Sequence, residues 1–285
     1  MRSVNRALIK NAKYIKYLQF LLPSALLALV KIFPDSLKQG EIIVWSLVVL
    51  VAAGVLKYYI ESLDRKYRNK LTIYNFRNSP HIVTGHFRVG GIVTIPGVDR
   101  HAGDILTDDM QNIGIKISGL SPCGNDPAPR QFASDSMILI CGPNANSLAD
   151  DLNEHFRGTQ SHAFYFIPLE ETEIHVKPTE GEWAIAHGTF RDLIIKTPPL
   201  GNIDYGLIYV GKNPRAADKW LIWIAGLGPH GTVGCARTLV DQRVQAMLAS
   251  HFDAGAEYVS ASISYEYTSE TEGAVTSVCI SPSLA

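Results

Sequence analysis

Trp220–Leu239 reads WLIWIAGLGPHGTVGCARTL, and the fold is decided there. Residues 220–225 are apolar and aromatic without polar alternation, the pattern of a strand covered on both faces. Gly226-Leu-Gly228-Pro-His-Gly231 follows at once. From Ala236 the apolar residues fall at Leu239, Val240, Val244, Met247 and Leu248, which is helical spacing and predicts one helix over Thr232–Ser250. A strand, a glycine-rich turn and a helix in that order aim several backbone N–H groups and a positive dipole end at one spot. The helix's first turn carries no carboxylate and one arginine, Arg237, while His230 and Thr232 add hydrogen-bond donors. Gly226, Gly228, His230, Gly231, Thr232 and Arg237 are therefore the candidate residues for a small anionic ligand. The competing reading is a tight turn that packs the helix onto the sheet.

A second unit of the same kind lies upstream. Met137–Cys141 is a short apolar strand that leads into Gly142-Pro-Asn-Ala-Asn146. Ser147-Leu-Ala-Asp150 matches a capping box, and Leu148, Leu152 and Phe156 line one helix face. Asp150 and Asp151 occupy that first turn, so a phosphate there would meet two negative charges. Gly142, Asn144 and Asn146 suit a ribose or base instead, with plain turn formation as the alternative. If both turns lie at the carboxyl edge of one sheet, they form opposite sides of a crevice. Asp99-Arg-His101, after a Pro-Gly turn, either supplies charged groups to that crevice or is a solvated loop.

The remaining elements predict an α/β fold. Val89–Ile95 reads as a first strand, Asp99–Asn112 as a helix and Ile115–Ser118 as a strand. Ser121–Pro129 is loop by composition. Ala163–Val210 breaks into short strands (AFYFI, EIHV, WAIAHGTF, LIIK, DYGLIYV) that predict added β-hairpins. Tyr258–Tyr267 and Ala274–Ile280 alternate around SETEG. Residues 81–285 are thus predicted as a three-layer, Rossmann-like mixed-sheet domain. The alternative is two subdomains split near Gly158–Ser161.

The N-terminal part differs in kind. Residues 1–70 hold 12 Lys and Arg against 4 Asp and Glu, whereas 71–285 hold 14 against 23. Tyr17–Val30 and Ile42–Leu56 are apolar runs separated by a short Pro/Gly-containing loop, which predicts a two-helix transmembrane hairpin over 17–60. Positive charge concentrates in the basic segment 1–16 and in the linker 61–80, so both termini and the main domain are expected on the cytoplasmic side of the inner (plasma) membrane. The expected partners are the lipid bilayer, a small anionic or nucleotide-like ligand, and further copies of the chain. The acidic main domain argues against general nucleic-acid binding.

Several chemistries are excluded. Cys123, Cys141, Cys235 and Cys279 are widely spaced and the histidines show no H-x-x-x-H pattern, so no metal site is expected. No lysine precedes Thr232, which rules out a P-loop, and no serine sits in the turn as a nucleophile elbow requires. Gly226-x-Gly228-x-x-Gly231 fits a dinucleotide fingerprint, but Pro229 removes an N–H and no carboxylate lies near the end of a second strand at the usual distance of about 20 residues. No catalytic residue and no cofactor are assigned.

ILICGPNAN at 138–146 and WIAGLGPHGTVGCARTL at 223–239 resemble a pattern in little-characterised bacterial α/β proteins. In those, a strand ends in G-P-x-x-N and a later strand runs into G-x-x-G-x-G-T-x-x-x-A-x-x-L. Gly142, Pro143 and Asn146 fit the first part, and Gly226, Gly231, Thr232, Ala236 and Leu239 the second, with Pro229 in place of the middle glycine. The resemblance implies an α/β fold and no mechanism. Two spans plus a cytosolic domain is also similar in layout to membrane effectors of nucleotide-signalled antiphage defence systems. The expected function is a membrane-anchored sensor or effector that binds its ligand in the cytosol and signals to the hairpin. The alternatives are a membrane-tethered enzyme acting on a nucleotide or sugar, and a scaffold without a ligand.

Overall fold

The computed structural model describes residues 39–89, 92–123, 135–158, 163–171, 183–187, 201–269 and 272–281. Two compact units divide the chain, Met1–Asn69 and Lys70–Ala285. Helix α1 (Gln39–Ile73) contains the Ile42–Leu56 run and continues through the charged stretch 61–70 into the segment expected as a linker. Val48, Val51, Val55, Leu56, Tyr58 and Tyr59 are exposed along it. The basic segment 1–16 and the first apolar run, 17–30, lie outside the described residues. Among the described residues no helix is long and apolar enough to cross a membrane.

The second unit is built on a mixed seven-stranded sheet. Four strands are parallel: β4 (Gly119–Pro122), β1 (His81–Thr84), β5 (Met137–Ile140) and β9 (Ala216–Gly226), in that spatial order. The order continues antiparallel through β8 (Ile203–Asn213), β10 (Tyr258–Tyr267) and β11 (Gly273–Ser281). Every residue of β5 and Trp220–Ala225 of β9 are buried, which explains their unbroken apolar sequence.

Alternation assigns the faces. Val83, Leu139, Leu221, Trp223 and Ala225 pack with Leu148, Leu152 and Phe156 of α3 (Ser147–Gly158) and with Phe164 and Phe166. Phe164 and Phe166 belong to β6 (Phe164–Pro168), which pairs with β7 (Trp183–His187) as a separate hairpin. Ile140 instead faces Gly103 of α2 (Gly97–Asn112), where a Cβ would sit 3.5 Å from its Cδ1. Trp220, also on that opposite face, meets Phe252 of α5 (Gln242–Asp253) and donates its Nε1–H to the Ile73 carbonyl at 2.7 Å. Helix α4 (Pro229–Val240) packs against α2 on the same face. Helices cover both faces of the sheet, giving three layers.

One buried polar cluster joins the elements of the α2 face. Asp109 of α2 accepts from Tyr74 Oη and Gln245 Nε2, each at 3.0 Å, and pairs with Lys70 in the last turn of α1. Asp109 is 9% exposed, and these hydrogen bonds and the ion pair offset the cost of burying it.

Several boundaries depart from the expectations. The first sheet strand is His81–Thr84, and the Val89–Ile95 segment contributes instead to a small hairpin of β2 (Phe87–Val89) and β3 (Ile92–Thr94) outside the sheet. The strand expected at 115–118 begins at Gly119. The helix expected over Thr232–Ser250 is two helices, because Asp241 ends α4 and its carboxylate accepts from the N–H groups of Arg243 and Val244 at 2.8 and 3.1 Å. That is an N-cap, and it starts α5 in a new direction. The EIHV and LIIK segments, and residues 124–129 of the Ser121–Pro129 loop, lie outside the described residues. The domain does not split near Gly158–Ser161; residues 70–285 form one compact unit.

Candidate functional site

Strands β1, β5 and β9 run the same way, so their carboxyl ends meet at one edge of the sheet. Gly85-His86 leaves β1, Cys141-Gly142 leaves β5 and Leu227-Gly228 leaves β9. The two glycine turns are neighbours there, for a Cβ on Gly142 would lie 3.9 Å from the Gly226 carbonyl oxygen. The two turns expected to flank a crevice are thus adjacent at this edge. Helix α2 leaves β1 on one face and α3 leaves β5 on the other, so β1/β5 is a topological switch point, where loops diverge and open α/β sheets bind ligands.

The Gly226–Gly231 turn is filled by the protein itself. Asp204, at the start of β8 and 1% exposed, accepts from Gly228 N at 3.0 Å, Gly231 N at 2.7 Å and Tyr205 N at 2.7 Å. An internal carboxylate thus stands where the sequence placed a ligand's charge. Gly226 N donates to Thr232 Oγ1 at 3.0 Å, so the threonine hydroxyl is engaged as well. A Cβ would come within 2.2 Å of Gly228 O at Gly226, 2.6 Å of Asp204 Oδ2 at Gly228 and 2.1 Å of Tyr205 O at Gly231. These glycines are required by close backbone packing whether or not a ligand binds.

Gly234 has the same cause, since its Cβ would meet the Tyr265 ring at 2.6 Å. His230 stacks on Tyr267 with centroids 3.8 Å apart and planes at 10°, and its Nδ1 has no hydrogen-bond partner among the described residues. Arg237 is not beside the turn. It lies in the last turn of α4, eight residues and about 12 Å along the axis from Pro229, where Nη1 donates to the Gly273 carbonyl at 3.4 Å.

The β5 turn divides into a structural and an accessible half. Asn146 is fully buried; its Oδ1 accepts from Leu148 N at 2.8 Å and its Nδ2 donates to Thr84 O at 3.3 Å. It caps α3 and ties it to β1, so the cap expected at Ser147 is formed one residue earlier. Gly142 is half-buried with room for a side chain, and Asn144 is exposed.

The residue with the most unusual environment is Asp99, in the first turn of α2. It is 6% exposed. Its Oδ2 lies 3.4 Å from the Cβ position of Gly85, which Ala145 Cβ and Cys141 Cβ also approach at 3.2 and 3.4 Å. Glycine at 85 lets the carboxyl reach the end of β1. Burial pushes the Asp99 carboxyl up to about 7, against the opposing pull of the Gly85 N–H. Burial, and next the Asp99 charge, hold the Cys141 thiol well above its ordinary range, which makes it inert as a nucleophile. Thr84 registers with Ile140 and so faces α2; it is fully buried and its Oγ1 has no partner among the described residues, nor has His86 Nδ1.

Buried polar atoms are nearly always paired. Unmet hydrogen-bonding capacity at the end of β1 therefore makes it the candidate site. In sequence, Asp99 entered only as part of Asp99-Arg-His101, read as a source of charge for the crevice or as a solvated loop. Asp204 carried no signal, since its turn partners are 24 and 27 residues away. Among the described residues no group of three or more His, Cys, Asp or Glu is arranged to hold a metal. Comparison with family models, curated proteins and solved structures gives no match.

Proposed function

We infer that the chain is a membrane-anchored sensor whose Lys70–Ala285 unit binds a small nucleotide-like ligand at the carboxyl edge of β1 and β5. The observation that carries this reading is the switch point itself, with Asp99, Thr84 Oγ1 and His86 Nδ1 gathered at the end of one strand. Asp99 as a carboxylate accepts hydrogen bonds, so it selects a ligand hydroxyl or amino group, such as a ribose or base supplies. Gly142 and Asn144 form the accessible wall. Phosphate recognition at the Gly226–Gly231 turn fits less well, because Asp204 already holds its N–H groups.

Membrane anchoring is supported by the basic, apolar N-terminal sequence and by the exposed valines, Leu56 and tyrosines of α1. Helix α2 offers a route for the signal. It carries Asp99 at one end and Asp109 at the other, and Asp109 holds Lys70 in the last turn of α1.

The test begins with the full chain purified in zwitterionic nanodiscs. Small molecules extracted from it are identified by mass spectrometry and added back. The sensor reading expects binding without turnover. It also expects Gly142→Leu, whose Cβ position meets nothing closer than the Gly226 carbonyl at 3.9 Å, to lose binding while keeping its unfolding midpoint. Consumption of the compound would establish the enzyme alternative. Undiminished binding by Gly142→Leu would remove the ligand from this edge.

A further inference from the structure

An open groove of about 600 Å³ lies at the far end of α4, between the α4–α5 junction and strands β10 and β11. That size is within the range of small-molecule sites, ~300–1,000 Å³. Its walls combine two guanidinium groups, Arg237 and Arg243, with Val244, Val275 and Val278. Tyr265 completes the lining; it is 1% exposed, and its hydroxyl has no hydrogen-bond partner among the described residues. Tyr265 and Arg237 converge on Gly273, whose Cβ position is 2.8 Å from Tyr265 Oη and whose carbonyl accepts from Arg237. Asp241 is the one carboxylate in the lining, and its Oδ1 is held by the N–H groups of Arg243 and Val244 as the α5 cap.

We propose that this groove is a second ligand site, distinct from the β1/β5 edge, for a small amphiphilic anion: a phosphate or carboxylate head between Arg237 and Arg243, with an apolar tail along Val244, Val275 and Val278. Guanidinium forks match both head groups in geometry and remain charged at all working pH values. A buried tyrosine hydroxyl left unpaired is costly, and a head-group oxygen beside it removes that cost. Valines, rather than further polar groups, on the opposite wall exclude a bare inorganic ion as the fitted occupant. The β1/β5 edge presents the opposite chemistry, an acceptor whose carboxyl is shifted by burial and the Gly85 N–H and by no cation, so the two sites select different groups.

The test uses hexyl phosphate, with inorganic phosphate and hexanol as comparison arms, and the full chain in zwitterionic nanodiscs at constant ionic strength. Calorimetry is expected to show saturable binding of hexyl phosphate at least about tenfold tighter than either comparison compound. Arg243→Ala is expected to weaken it by about tenfold or more, the scale of one charge-assisted hydrogen bond. Tyr265→Phe separates binding from folding. Removing an unpaired hydroxyl leaves the unliganded unfolding midpoint unchanged or higher, while affinity falls by about fivefold. Equal affinity for inorganic and hexyl phosphate would overturn the amphiphile assignment. Unchanged binding in both variants, or none to the native chain, would overturn the site. None of these outcomes touches the β1/β5 reading, which Gly142→Leu tests by itself.

Discussion

Asp99→Asn should flatten the dependence of stability on pH. The wild-type carboxyl titrates near 7 in the folded chain and near 3.9 when unfolded. Between those values the folded state holds a proton that the unfolded state has released. Stability therefore falls as pH rises through the window. The contribution is complete below about pH 4 and gone above about pH 8. Three pKa units correspond to about 4 kcal/mol, of which about 2.7 kcal/mol falls between roughly pH 5 and pH 8. Asparagine has the same shape, keeps an acceptor for the Gly85 N–H and carries no charge.

Urea unfolding of both proteins, followed by the fluorescence of buried Trp220 and Trp223, measures the two pH profiles. Burial lowers His81, His155 and His251, and each of these adds stability as pH rises through its range. Subtracting the Asp99→Asn profile removes those contributions and leaves the aspartate. The difference should grow by about 2.7 kcal/mol from roughly pH 5 to pH 8, with the variant the more stable at the alkaline end. Parallel profiles would refute the argument that Asp99 sits buried without a cation. A ligand that donates to the carboxylate should also bind more tightly above pH 7.

Other sites give sharper structural outcomes. Asp204→Ala strands the buried Gly231 N–H and removes the acceptor at the α4 terminus, so it should cost about 3 kcal/mol in urea unfolding, and Asp204→Asn markedly less. Asp109→Asn keeps the contacts to Tyr74 and Gln245 but releases Lys70; ligand binding at the β1/β5 edge should persist while any ligand-driven change in oligomeric state or membrane permeability is lost, as read by light scattering and dye release.

Much of the fold was legible where both faces of an element are covered. β5, β9 and α3 appear in the structure where their apolar residues put them, and β10 matches its alternating stretch end to end. The break at Asp241 was hidden because Leu239, Val240, Val244 and Leu248 keep helical spacing across it, although Met247 proves exposed. β1 was missed because HIVT is four residues long and follows Asn-Ser-Pro directly. The candidate site was legible as two glycine turns at one edge. The residues that decide its chemistry were not. Asp204 reaches the turn from another strand, and Asp99 gains its character from a cover that only the packed α2 and β1 provide.

That difference changes what the edge can recognise. All three helices that start there have a carboxylate at the positive end of the dipole: Asp99 in α2, Asp150 in α3 and, reaching over from β8, Asp204 at α4. Each fixed carboxylate offsets the field that would draw in a phosphate. A strand–glycine–helix sequence therefore describes where backbone donors gather, and the side chains of other elements decide whether those donors remain for a ligand. In this chain those at the Gly226–Gly231 turn are consumed within the fold, which leaves Asp99 as the group that the proposed reading assigns to a ligand. The guanidinium that the sequence assigned to the turn stands instead at the opposite end of α4, beside Arg243 and Tyr265. One helix thus has an acidic cap at its start and a basic groove at its end. On the two readings proposed above, a molecule with hydroxyl or amino donors would meet Asp99 at the start of α2, and an anion with an apolar tail would meet the groove at the end of α4.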